Sequence, residues 1–132
     1  MFKFKTRFGE YDKCEFIKEG EGTHTRYSIF SKDEENYGPI IKLNLPGYTD
    51  DLKDDYRRED VVAVFDYSEN KGTMDFLEKI GVAKRTFGYL QSGFVEIPVV
   101  EIDAEKLMKL NECKEISFID GITLDKNGKE PK

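Results

Sequence analysis

The stretch from Val61 to Asp103 constrains the fold most, because apolar periodicity, turn chemistry and helix signals coincide there. Val61, Val62, Ala63, Val64 and Phe65 form a continuous apolar run, too short for a helix and rich in β-branched residues, which reads as a buried strand. The polar segment from Asp66 to Gly72 ends it. Ser68 or Asn70 then stands where a helix cap is wanted. Met74, Leu77 and Ile80 recur every three residues, Phe76 widens the stripe, and Gly81 sits where a left-handed residue closes a helix. A helix of about three turns is marginal in water by itself, so its stripe must lie on a sheet. Phe94, Ile97, Val99, Val100 and Ile102 supply a second apolar strand, in which Pro98 is expected at a sheet edge or a bulge because it lacks a ladder donor. Gly88 and Gly93 read as hairpin residues before that strand.

The segments on either side follow the same logic. Phe2, Phe4 and Phe8 alternate with Lys3, Lys5 and Arg7, the period of a strand with one buried face, and Tyr11 to Lys18 pairs back with Cys14 and Phe16 inward. Thr25 to Ser31 and Pro39 to Leu45 are the next strands, with Tyr27 and Ile29 sharing one face and Ile41, Leu43 and Leu45 another. Asp103 is a good cap for a second helix that buries Leu107, Met108 and Leu110. Asp120-Gly121 is a favoured hairpin pair between Ile116–Ile119 and Ile122–Leu124. The expected class is therefore α+β. One domain over residues 1–118 carries a mainly antiparallel twisted sheet of about five to seven strands and two short amphipathic helices. A C-terminal hairpin or flexible tail covers 119–132.

Charge limits the partners. The 132 residues carry a net charge of −6, which disfavours direct binding to nucleic acid, since Lys and Arg supply most of that affinity. The apolar fraction is only 38%, but ten Phe and seven Tyr give the chain enough ring area for a core. The longest apolar run is five residues and the N-terminus alternates Phe with charge, so no membrane segment or leader is read and a cytoplasmic location is expected. Cys14 and Cys113 lie far apart, with no neighbouring cysteine to make a metal or redox motif, and read as reduced thiols. Cys113 as a nucleophile would need His24, the only histidine, beside it.

One charge cluster stands out, from Thr49 to Asp60. Asp50, Asp51, Asp54, Asp55, Glu59 and Asp60 are interleaved with Lys53, Arg57 and Arg58, with Leu52 and Tyr56 as the apolar groups. A solvated connector, as a short surface helix or a loop, is the plain reading. The sharper one is a partner-binding surface formed by Asp50, Asp51, Asp54, Asp55, Tyr56, Glu59 and Asp60, whose carboxylates imitate phosphate spacing and enter a basic channel of another protein. The spacing is not that of an EF-hand, so no metal is expected. Catalytic signals are thin. Gly88 to Gly93 has a phosphate loop's glycine spacing without its Lys and Ser/Thr, and nothing brings Asp66, Glu69 and Glu96 to one cleft. No catalytic residue and no cofactor is assigned.

Asn44-Leu45-Pro46, the run Asp66 to Gly72, the helix end at Gly81-Val82 and Ser92 to Val99 together resemble a small bacterial family of unknown function carried on conjugative and other mobile elements of gut bacteria. The resemblance spans Phe30 to Ile102. It departs at Arg85 to Leu90, where a Thr-Gly-rich turn would stand, and in the longer acidic segment. It implies an accessory protein that binds and disables host defence machinery, of the anti-CRISPR or anti-restriction kind. The expected function is thus a non-enzymatic, acidic, protein-binding accessory protein whose partner is a basic host nuclease, with no direct nucleic-acid contact and no membrane. A self-associating or ligand-binding regulatory module is the first alternative. A small enzyme with an unrecognised site is the second.

Overall fold

The computed structural model describes residues 1–119 and 123–124. Alternation of Phe with Lys produces β1 (Phe2–Thr6), which hairpins into β2 (Gly9–Glu19). Phe2 and Phe4 point inward as expected, but Phe8 does not continue the strand. Thr6 Oγ1 accepts from the Phe8 amide at 3.1 Å and donates to Gly9 carbonyl at 3.2 Å, closing a turn that throws Phe8 outward, 75% exposed. The meander continues through β3 (Arg26–Ser31) and β4 (Gly38–Lys42). On the other side of β1 the short strand β8 (Glu115–Ser117) pairs in parallel, Phe4 opposite Ile116, and Thr123–Leu124 (β9) pairs antiparallel with it. The Asp120-Gly121 turn lies outside the described residues.

The central stretch builds a second, three-stranded sheet. Here β5 (Val61–Ala63) and β6 (Ala83–Ser92) flank β7 (Val95–Ile102), all antiparallel. The class is α+β with one compact domain, and its strands are divided between two sheets. The expected strand from Pro39 to Leu45 is what divides. It stays with β3 as far as the Leu43 N–H, which donates to Tyr27 C=O at 2.9 Å, and from the Leu43 carbonyl onward it bonds toward the other sheet, Phe65 N–H to Leu43 C=O at 3.0 Å and Leu45 N–H to Ala63 C=O at 2.8 Å. Leu43 is buried, while Ile41 and Leu45 are only half-buried.

Three asparagine amides complete strands at such departures. Asn44, 4% exposed, accepts from Tyr27 N–H at 2.8 Å and donates to Thr25 C=O at 2.9 Å, so its side chain behaves as an extra peptide at the end of β3. Asn111 does the same for both backbone groups of Phe16, at 2.6 and 3.1 Å. Asn70 donates to Lys42 C=O at 2.6 Å.

That last bond explains a correction to the first helix, α1 (Thr73–Lys79). Asn70 is occupied with β4, and Ser68 lies in a 3-10 turn at φ +53°, so neither caps the helix. Asp66 does so from further upstream, its Oδ1 accepting from Gly72 N–H at 2.8 Å and Met74 N–H at 3.2 Å. Gly81 takes the left-handed position at φ +78°. Phe76, read from sequence as a widening of the stripe, is fully buried between Phe4 and Phe118. In α2 (Ala104–Lys109) Asp103 accepts from Lys106 N–H at 3.0 Å, the expected cap, and Leu107 and Leu110 enter the core.

Pro98 and Gly88 also differ from expectation. Pro98 lies in β7, the central strand of the small sheet, where its carbonyl accepts from Val64 N–H at 2.9 Å. Pairing with β5 stops at Ala63 opposite Val99, so the missing donor falls just past the end of that ladder and breaks none of its bonds. Only Gly93 serves the hairpin turn; Gly88 is inside β6, beside a register shift. The main core lies between the inner faces of the two sheets and the helices: Phe2, Phe4, Phe16, Tyr27 and Ile29 meet Val62, Val64, Val100 and Ile102. No helix among the described residues is long and apolar enough to cross a membrane.

Candidate functional site

Period-two alternation leaves β5 and β7 with a second buried face. Val61, Ala63, Ile97 and Val99 are almost wholly buried yet stand outside the main core. The acidic segment borders this outer side. It forms no α-helix; it is a loop with one 3-10 turn, Asp54–Tyr56. Leu52 and Tyr56 border a shallow cleft of about 170 Å³ with Phe87, Tyr89, Leu90 and Val99, and the Tyr56 ring lies 4.8 Å from that of Phe87. The Arg85 guanidinium stacks on Phe87 at 4.6 Å and reaches Glu101 at 3.4 Å, which also binds Arg58 at 2.7 Å. Tyr27 ties the segment to the large sheet, its hydroxyl donating to Glu59 C=O at 2.8 Å, and burial pushes that phenol's pKa upward.

The seven residues singled out in the sequence are adjacent in the chain but differ in state. Asp50 accepts from the Thr23 hydroxyl and lies 3.4 Å from His24 Nε2. Asp54 pairs with Arg57, Glu59 with Lys18 at 2.6 Å, and Asp60 with Arg58 at 3.2 Å. Asp51 and Asp55 are exposed and enter no ion pair among the described residues. Tyr56 is half-buried on Phe87. Lys and Arg thus take three of the six carboxylates and Thr23 and His24 hold Asp50, leaving Asp51 and Asp55 beside an aromatic patch. Phe87, Tyr89 and Arg85 were missed by the sequence reading. Their period-two signal was available, but it does not reveal which loop lies over them.

Other chemistry-bearing residues are dispersed. Cys14 is buried and its Sγ donates to the Tyr11 and Asp12 carbonyls, at 3.5 and 3.7 Å; desolvation pushes its thiol up to about 11, away from thiolate reactivity. Cys113 is buried too, whereas His24 is exposed at the acidic segment. Asp66 is committed to α1, and Glu69 and Glu96 stand on separate elements. Among the described residues no group of three or more His, Cys, Asp or Glu is arranged to hold a metal ion.

The site is thus a packed acidic and aromatic surface on an α+β domain. Searches found no matching protein-family model, curated protein or solved structure.

Proposed function

We propose that this domain is a non-enzymatic protein-binding module that recognises a basic protein surface through Asp51, Asp55 and the Tyr56–Phe87 patch. On the mobile-element reading the partner is a host defence nuclease. The observation that carries this is the pair of exposed carboxylates without cation partners among the described residues, held on a segment whose Leu52 and Tyr56 sit against the small sheet. A loop fixed by packing loses little conformational entropy on binding, so its charges are presented at low cost. Arg85 already shows how an arginine lies on this surface, its guanidinium over Phe87 while it bonds a carboxylate. An incoming Arg would stack on Tyr56 and pair with Asp55 in the same manner.

The test is an affinity pulldown from host lysate at low and high salt, followed by titration of the captured protein. The Asp51→Asn/Asp55→Asn double variant should bind at least about tenfold more weakly, a loss of ~1.4 kcal/mol. Asp50→Asn/Asp54→Asn, whose carboxylates are already engaged by the Thr23 hydroxyl and by Arg57, should change affinity far less. Equal affinity of the first variant and the wild type would remove this surface from the mechanism.

A further inference from the structure

Among the described residues, strand β6 has a ladder on one side only. It pairs with β7, and apart from that ladder the Gly88–Ser92 backbone makes no bond to another main-chain group among the described residues. Exposed strand edges invite pairing with another chain, and proteins blunt them with charges, bulges and proline. The first half of β6 is blunted in this way: it carries Lys84 and Arg85 and register shifts at Ala83/Arg85 and Thr86/Gly88. The second half, Gly88-Tyr-Leu-Gln-Ser92, is regular, uncharged and without proline.

The direction of its backbone groups follows from β7. Pro98 C=O and Ile102 N–H both bond toward β5, to Val64 and Asp60, so the alternate residues Ile97, Val99 and Glu101 direct their backbone toward β6. Leu90, opposite Ile97, therefore bonds inward. Tyr89, opposite Pro98, and Gln91, opposite Glu96, direct N–H and C=O outward.

We propose that Gly88–Ser92 is a self-association edge, pairing antiparallel with the same segment of a second copy about a twofold axis through Leu90. In this register Tyr89 of each copy faces Gln91 of the other, and the outward groups exchange roughly four hydrogen bonds. Leu90 meets its own copy at the axis. The charge pattern selects this arrangement. A parallel pairing would stack Lys84 and Arg85 on their copies, whereas the antiparallel one separates them to opposite ends and brings no like charges together along the strand. Tyr89 and Phe94, 64% and 106% exposed, lie beside the seam and supply apolar area. The contact is small, so a weak dimer is expected.

Sedimentation equilibrium of the full chain from micromolar to millimolar concentration tests this. The mass should rise from 15.3 kDa toward twice that value. Gln91→Pro removes an outward donor and no β7 ladder bond, while Leu90→Lys sets two ammonium groups at the axis; each should weaken dimerisation at least about tenfold. Circular dichroism and thermal melting check that each variant is folded, and Tyr89→Pro replaces a variant that is not. A wild-type mass of one chain throughout, or dimers persisting in folded Gln91→Pro and Leu90→Lys, would overturn the proposal. Gln91 lies outside the Leu52–Tyr56 cleft, so loss of the dimer in Gln91→Pro with retained binding through Asp51 and Asp55 separates this inference from the binding surface.

Discussion

Replacing Asn44 with alanine should destabilise the domain well beyond what its size suggests. The side chain is buried and pairs with two main-chain groups, Tyr27 N–H and Thr25 C=O, at 2.8 and 2.9 Å. Truncation leaves both without partners, and each unsatisfied buried group costs about 1–3 kcal/mol. The expected loss is about 3 kcal/mol, a large share of the ~5–15 kcal/mol that holds a domain of this kind together. Asn44→Leu, which restores volume without polarity, should be no better, because the orphaned groups belong to β3. Asn44→Asp keeps the acceptor for Tyr27 but sets a carboxylate against the Thr25 carbonyl. Burial raises that carboxyl's pKa in the folded state above the unfolded value of about 3.9, so the variant should lose stability as pH rises through this range. Urea unfolding followed by circular dichroism gives the free energies, with an unchanged m-value showing that only stability moved. Amide exchange at Tyr27 should accelerate in step. A loss below about 1 kcal/mol in Asn44→Ala would refute the view that this amide substitutes for a missing strand.

Two further outcomes follow from the same bonding logic. Asp66→Ala removes the acceptor for the first amides of α1 and should cost about 1 kcal/mol, whereas Asp66→Asn, which keeps an acceptor oxygen, should cost less; equal unfolding midpoints for Asp66→Ala and wild type would contradict the cap. Cys14, its thiol raised from 9.0 to about 11 mainly by burial, holds a proton that the unfolded chain releases. Stability should therefore fall as pH rises from about 9 toward 11, with this group contributing at most ~1.4 kcal/mol per pH unit. Cys14→Ala should show a shallower decline over that window in urea titrations, and identical slopes would count against the assignment.

The sequence made legible what is local. Period-two Phe in β1, the β-branched run of β5, the Asp103 cap and the Gly81 terminus all depend on a residue and its near neighbours. Two sheets were not legible, because the division depends on the backbone changing partner within Leu43, whose N–H bonds to Tyr27 and whose C=O bonds to Phe65, and hydrophobic pattern does not name a pairing partner. The cap of α1 was misplaced for a similar reason, since Asp66 reaches it across an intervening 3-10 turn. At the candidate site the sequence showed the charge but not its balance. Lys18 and His24 come from distant segments to meet Glu59 and Asp50, and only their positions separate those carboxylates from Asp51 and Asp55.

The parallel seam between β1 and β8 sets the order in which the chain can assemble. Phe4 and Ile116 are neighbours in space but 116 − 4 = 112 positions apart in sequence. During synthesis the β1–β2–β3–β4 meander can close early from adjacent hairpins, yet Lys3 and Lys5 must wait with open hydrogen-bonding groups until Glu115–Ser117 arrives. A nascent or truncated chain ending before Cys113 would display that ladder to its neighbours, and aggregation of such fragments, more than loss of the acidic surface, should set how far the protein tolerates shortening.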